Sequence, residues 1–287
     1  MLPPASQFAN VNGVRLAYRE WPGRAGAPPV LCLAHLTGHK GSFDNLAAAL
    51  APDYHVFALD LRGRGDSDRP ADGYGFAGHA QDLLAFADAL GLGAFAIVGH
   101  SFGATTAVYL ASVRPARVTA LALLDGGADP KDETLQAMFP TIRRLDQVYP
   151  SLEIYLTAMR ALPFFQPWNP ALEQYFRADV RVGPDGAVTP KSSAAAIERD
   201  LGLHFFYSMC LHFPALRCPV LFVRPQLGLR GERGHVFSEA EAEAITRHIP
   251  HCRRASAPGV NHYTLLLHDQ SPAVPAVRAF FDDVLRR

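Results

Sequence analysis

Short apolar runs alternate with longer amphipathic stretches along this chain, and the alternation predicts a mostly parallel sheet whose strands are joined by helices. The runs are Val30 to Ala34, Val56 to Leu59, Phe95 to Val98 and Val118 to Leu124, with a helix-length segment at Phe76 to Leu90. Ahead of them, Phe8 to Val11 and Val14 to Tyr18 flank Asn12-Gly13, and the period-two pattern predicts an antiparallel hairpin at the sheet edge. The next apolar run after Leu124 is Pro219 to Val223, so a long segment is inserted between them. The pattern then closes with a helix at Glu239 to His248, a short strand near Arg253 to Ala257 and a final helix at Ala273 to Leu285.

The insert, Pro130 to Pro214, is rich in aromatics and helix formers, which predicts a helical cap over the sheet. Residues 1–129 and 215–287 then form the core and 130–214 the cap. Pro163, Pro167 and Pro170 interrupt it, and Val182 to Gly186 marks a further loop. Most of its aromatics are expected to pack cap onto core, while a minority line a substrate pocket at the boundary. The pocket candidates are Phe139, Tyr155, Phe164, Phe165, Trp168 and Phe206.

Composition narrows the partners. With 27 Lys plus Arg against 27 Asp plus Glu, no net field draws the chain to nucleic acid or to an anionic membrane. The start has no basic stretch followed by an apolar core, and no run is long enough to span a bilayer, so a cytoplasmic location is expected. Cys32, Cys210, Cys218 and Cys252 lack C-x-x-C spacing, which argues against zinc or redox pairing and predicts buried free thiols. No H-E-x-x-H or similar spacing points to a metal, and no cofactor is expected.

Candidate chemistry sits directly after the run Phe95 to Val98. Gly99-His100-Ser101-Phe102-Gly103 places a serine between two glycines where a strand passes into the helical pattern Ala104 to Ala111. A bend that tight needs glycine neighbours and leaves the hydroxyl exposed as a nucleophile. Two further stretches, Leu33 to Gly38 and Asp60 to Ser67, follow the preceding strands. In order and spacing these three stretches resemble the α/β-hydrolase superfamily, in its capped serine hydrolases, over nearly the whole chain. The resemblance implies an eight-stranded, mostly parallel sheet flanked by helices, with the cap inserted after the strand that ends at Leu124.

Serine is a weak nucleophile at neutral pH and needs a base. Of the twelve histidines, His262 in Pro258 to Tyr263 follows the short late strand within a turn of small residues, as in the family's histidine loop. His268 falls in an apolar segment, His100 is expected to point away from Ser101, and His35 to organise the loop after its strand. The acid departs from the commonest family pattern, because Arg224 to Leu229 carries no carboxylate. Asp125, at the end of the strand beside the nucleophile's, resembles the alternative acid position of some haloalkane dehalogenases, lactonases and polyketide thioesterases. It is favoured over Glu232 and Asp129. For the oxyanion, the backbone amide of Phe102 supplies one donor and that of Thr37 or Leu36 the second. Arg62-Gly63-Arg64-Gly65 lacks the lysine and spacing of a phosphate loop and is read as a chain turn.

A serine at the elbow supports acyl transfer and disfavours the alkylation chemistry of a carboxylate nucleophile. The expected activity is hydrolysis of an apolar or aromatic ester or lactone through an acyl-enzyme on Ser101. A thioesterase or cyclase, a carbon-carbon bond hydrolase and a non-enzymatic small-molecule receptor stay open, as does a homodimer.

Overall fold

A computed structural model describes residues 3–129, 141–204 and 207–286. Eight strands make one sheet: β1 (Gln7–Val11), β2 (Val14–Trp21), β3 (Pro29–Leu33), β4 (His55–Leu59), β5 (Phe95–His100), β6 (Val118–Leu124), β9 (Val220–Pro225) and β10 (Cys252–Ala257). Their order is β1-β2-β4-β3-β5-β6-β9-β10, with β1 and β2 antiparallel and every pairing from β4 to β10 parallel. The expected hairpin is the antiparallel edge, and its second strand runs on to Trp21 to reach β4.

Side chains of the central strands alternate between two apolar layers, as period two requires. Leu31, Leu33, Ile97, Leu121 and Leu123 pack beneath α2 (Gly75–Ala89) and α3 (Phe102–Val113). Val30, Cys32, Val98, Ala122 and Leu124 face α1 (Asp44–Leu50) and the last helix, α8 (Ala273–Leu285). Both faces are therefore buried, which is why these strands read as unbroken apolar runs rather than as alternating ones. The helix α7 (Glu239–His248) starts with a capping box in which Ser238 and Glu241 satisfy each other's backbone amides.

The insert holds α4 (Leu152–Arg160), α5 (Pro170–Ala178) and α6 (Ala194–His204). It also holds a small antiparallel pair absent from the sequence expectation, β7 (Val180–Val182) and β8 (Val188–Pro190), so the loop at residues 182–186 is a hairpin turn. Asn169 caps α5 by accepting from the Ala171 and Leu172 amides. All four cysteines are free, but they are not uniformly buried: Cys210 is exposed in a short turn near the end of the insert and Cys252 is half-buried at the sheet edge. Among the described residues no helix is long and apolar enough to cross a membrane, and no cluster of three metal-ligating side chains occurs.

Candidate active site

Ser101 joins β5 to α3 with φ +54° and ψ −117°, a conformation that costs a non-glycine residue on the order of 1–3 kcal/mol. Its surroundings hold it there. The Ser101 amide donates to the Leu124 carbonyl at 3.0 Å, and its own carbonyl accepts from Ala104 and Thr105 at 2.9 and 3.1 Å. A Cβ on Gly99 would lie 2.5 Å from the Ala104 Cα, and one on Gly103 only 2.1 Å from the Leu33 carbonyl oxygen. The two glycines are thus demanded by close packing of backbone on backbone.

Directly after β6, Asp125 takes φ +45° while its amide donates to the Val223 carbonyl at 2.9 Å. Its Oδ2 lies 2.7 Å from His262 Nδ1, in a pair whose side chains are both almost fully buried. Two residues 137 positions apart are therefore joined in the geometry that fixes an imidazole's orientation and tautomer. Asp125 Oδ1 has no partner among the described residues, so this single bond carries the orientation. Asn261 shapes the histidine turn: its Oδ1 accepts from the Tyr263 and Thr264 amides at 3.0 Å each, and its Nδ2 donates to the Phe164 carbonyl at 3.0 Å. The insert and the histidine loop are tied at that point.

The loop after β3 passes over the first turn of α3, where the Phe102 amide has no partner within the helix. Leu36 and Thr37 are buried, and among the described residues neither amide enters a backbone hydrogen bond. The adjacent Gly38 amide is already spent on the His35 carbonyl at 2.8 Å.

Three further histidines surround this centre, all buried and all held below their usual pKa. Burial is the main cause for His35, with neighbouring His262, Arg144 and His39 adding to it. Its ring nitrogens lie 3.5 Å from Thr37 Oγ1 and 3.4 Å from the Tyr175 hydroxyl. Burial also leads for His39, which stacks on Tyr175 at 4.2 Å and bridges the Tyr175 carbonyl and the Gly41 amide. Burial again leads for His100, whose ring lies 4.7 Å from that of His262 and 5.4 Å from that of His35. The His100 ring, next to Ser101 in the chain, thus packs against that of His262.

The other candidate acids are elsewhere. Glu232 is exposed on the loop after β9, and that loop is committed to backbone bonds from Gln226 to Ala257 and from Leu227 to Val260. Asp129 accepts from the Met209 amide and the Ser208 hydroxyl. His268 accepts from the Gln270 amide.

Of the aromatic candidates, Phe139 and Phe206 lie outside the described residues. Tyr155 is fully buried in the insert's own core, its hydroxyl 2.5 Å from Asp179 Oδ2, to which Arg144 also binds at 2.7 Å. Trp168 stacks on Phe176 and donates to Glu173 at 2.9 Å. Phe164 and Phe165 each come within 5.1 Å of the Tyr263 ring, next to His262. The structure therefore brings Phe164 and Phe165 to the histidine loop and places Tyr155 and Trp168 in packing of the insert.

Sequence reasoning passed over Gly126. A Cβ there would lie 2.4 Å from the Ser101 carbonyl oxygen, so the loop carrying Asp125 can seat against the elbow only with glycine next to the acid. The Asp-Gly-Gly run at residues 125–127 was the available signal.

A family model described as alpha/beta hydrolase fold matches residues 28–269. Over 285 residues the chain is 27% identical to the 2-(acetamidomethylene)succinate hydrolase of Mesorhizobium japonicum, covering 96% of this chain and 95% of that one. Among solved structures, an E-2-(acetamidomethylene)succinate hydrolase superposes with a TM-score of 0.83 at 22% identity, covering 99% of both chains. An alpha/beta hydrolase from Novosphingobium aromaticivorans gives 0.82 at 25% identity, over 99% of this chain and 100% of that one.

Proposed function

The chain belongs to the alpha/beta hydrolase family, and from that premise we propose that it is a serine hydrolase cleaving a carboxylic ester or lactone of a small apolar or aromatic molecule. The observation that carries this reading is the 2.7 Å bond between Asp125 and His262 in the same site as a strained serine elbow. Ser101 attacks the acyl carbon, His262 takes the hydroxyl proton and returns it to the leaving group, and Asp125 holds the imidazolium. The amides of Phe102 and of the loop after β3 receive the developing oxyanion, each worth on the order of 3 kcal/mol. Water then resolves the acyl-enzyme. The insert acts as a cap, and Phe164 and Tyr263 beside His262 favour an apolar acyl or leaving group.

A second reading draws on the relative of full length. That protein is named for a substrate bearing an acetamido group on a dicarboxylic acid, and the same triad could cleave such an amide. A fluorophosphonate probe followed by peptide mass mapping tests the shared premise, with the adduct expected on Ser101. A parallel panel of p-nitrophenyl esters, aromatic lactones, acyl thioesters and N-acetyl enamines then separates the readings. Turnover of esters or lactones above the others is expected. A preference for the acetamido compounds selects the second reading, and binding without turnover or labelling overturns both in favour of a receptor.

A further inference from the structure

We propose that Arg64 is a positioning residue for the oxyanion hole, orienting the Thr37 amide toward the reacting carbonyl, and that Asp200 of the insert holds it in place. The inference rests on the acyl-transfer reading above and adds to it which amide serves and what aims it.

Arg64 is 1% exposed, although a guanidinium is rarely buried so completely without a specific task. Its Nε donates to the Leu36 carbonyl at 3.0 Å and its Nη1 to the Arg62 carbonyl at 3.0 Å. A peptide unit is planar and trans, so its C=O and N–H point in opposite directions. Fixing the Leu36 carbonyl therefore fixes the Thr37 N–H, and a cation at that carbonyl also polarises the peptide toward stronger donation. The following peptide is held as well, because Ser192 of the insert donates to the Thr37 carbonyl at 3.1 Å.

Arg64 reaches the second donor residue too, since its guanidinium lies 5.4 Å from the centre of the Phe102 ring. His79 also meets that ring, edge to face at 5.4 Å. Both groups meet one carboxylate: Asp200 of α6 lies 2.5 Å from Arg64 Nη1 and 3.0 Å from His79 Nε2. It also accepts from the Gly75 amide at 2.6 Å. Burial by itself would raise the Asp200 carboxyl, but Arg64, His79 and Gly75 outweigh it and hold it below the usual carboxylate range. The insert is thereby connected to both sides of the oxyanion hole.

The test compares wild type, Arg64→Lys and Asp200→Asn for hydrolysis of p-nitrophenyl acetate and for inhibition by a trifluoromethyl ketone, whose adduct places an oxyanion in the hole. Lysine keeps the charge but cannot serve Leu36 and Asp200 together. Arg64→Lys should lower kcat about 10- to 100-fold with KM changed less than about threefold, less than full loss of a donor. Affinity for the ketone should fall by the same factor as kcat/KM. Asp200→Asn should show the same pattern at about tenfold. If Arg64→Lys does not fold, Asp200→Asn carries the test, with its loss confined to kcat and ketone affinity. Wild-type kcat and ketone affinity in the variant that folds, or a loss lying wholly in KM, overturns the proposal alone. A wild type that neither turns over the ester nor takes a fluorophosphonate on Ser101 overturns the acyl-transfer reading, and this one with it.

Discussion

The two halves of the site are built from different materials. Asp125 and His262 meet through one side-chain bond between loops of the core, both anchored by the parallel strands that precede them. In the proposed reading the other half consists of backbone amides that receive the oxyanion, and Arg64, itself held by Asp200 of the insert, sets the direction of the Thr37 amide. In the first half, identity of the side chain is the chemistry, and few neighbours are needed. In the second, any residue can supply an amide, so the information lies in what grips the peptide.

That difference predicts unequal sensitivity. Asp125→Asn should be the most damaging conservative change, lowering kcat about ten-thousand-fold while the fold survives, because the amide favours the wrong tautomer of His262. Steady-state kinetics together with a thermal melt checks it. Activity within tenfold of wild type would remove Asp125 as the acid and return attention to a rearranged Glu232. The Arg64→Lys effect stands well below this, since misaiming one donor leaves the other in place.

Gly126→Ala strikes where the two halves touch. Its new methyl group meets the Ser101 carbonyl and Cα at 2.4 and 2.6 Å, backbone atoms that cannot rotate away. Either the acid loop or the elbow must move, at a cost of about 1–3 kcal/mol in stability, and since about 1 Å of misplacement can cost a hundredfold in rate, kcat should fall by about that factor. Denaturant melts and kcat measured on the same preparation test both expectations, and unchanged values in each would mean that the loop does not press on the elbow.

The same contrast explains what could be read from sequence. The sheet was legible because strands buried on both faces must be apolar throughout, and because Glu239 to His248 and Ala273 to Leu285 carry their own helical periodicity. Ser101, Asp125 and His262 could be singled out because each is a particular residue type in the turn that follows a strand, and the fold brings Asp125 and His262 together. The β7 and β8 pair was not, since three residues are too few to show a period. Nor was the role of Arg64: its turn reads as an ordinary glycine-rich bend, and Asp200 lies among other charged residues, Glu198 and Arg199, on α6. Only the fold brings that arginine and that carboxylate to 2.5 Å. Assigning Tyr155 to the pocket had a similar limit, because an aromatic of the insert looks the same in sequence whether it faces a substrate or Asp179.

The smallest effect concerns the uncharged imidazoles around the acid-base pair. His35, His39 and His100 are held below their usual pKa chiefly by burial, so below about pH 6.5 the unfolded chain binds protons that the folded chain does not. Their contribution is therefore fully present above that pH and is lost as pH falls. The slope is at most about 1.4 kcal/mol per pH unit for each histidine until its folded pKa is reached. Denaturant titrations between pH 7 and 5 should show stability falling, and His100→Asn should reduce that slope by up to about a third even if it lowers stability at pH 7. An unchanged slope would mean that His100 takes up its proton in the folded protein as readily as in the unfolded chain. It would then stand as a cation 4.7 Å from the His262 ring, where it would oppose the imidazolium that Asp125 is placed to stabilise.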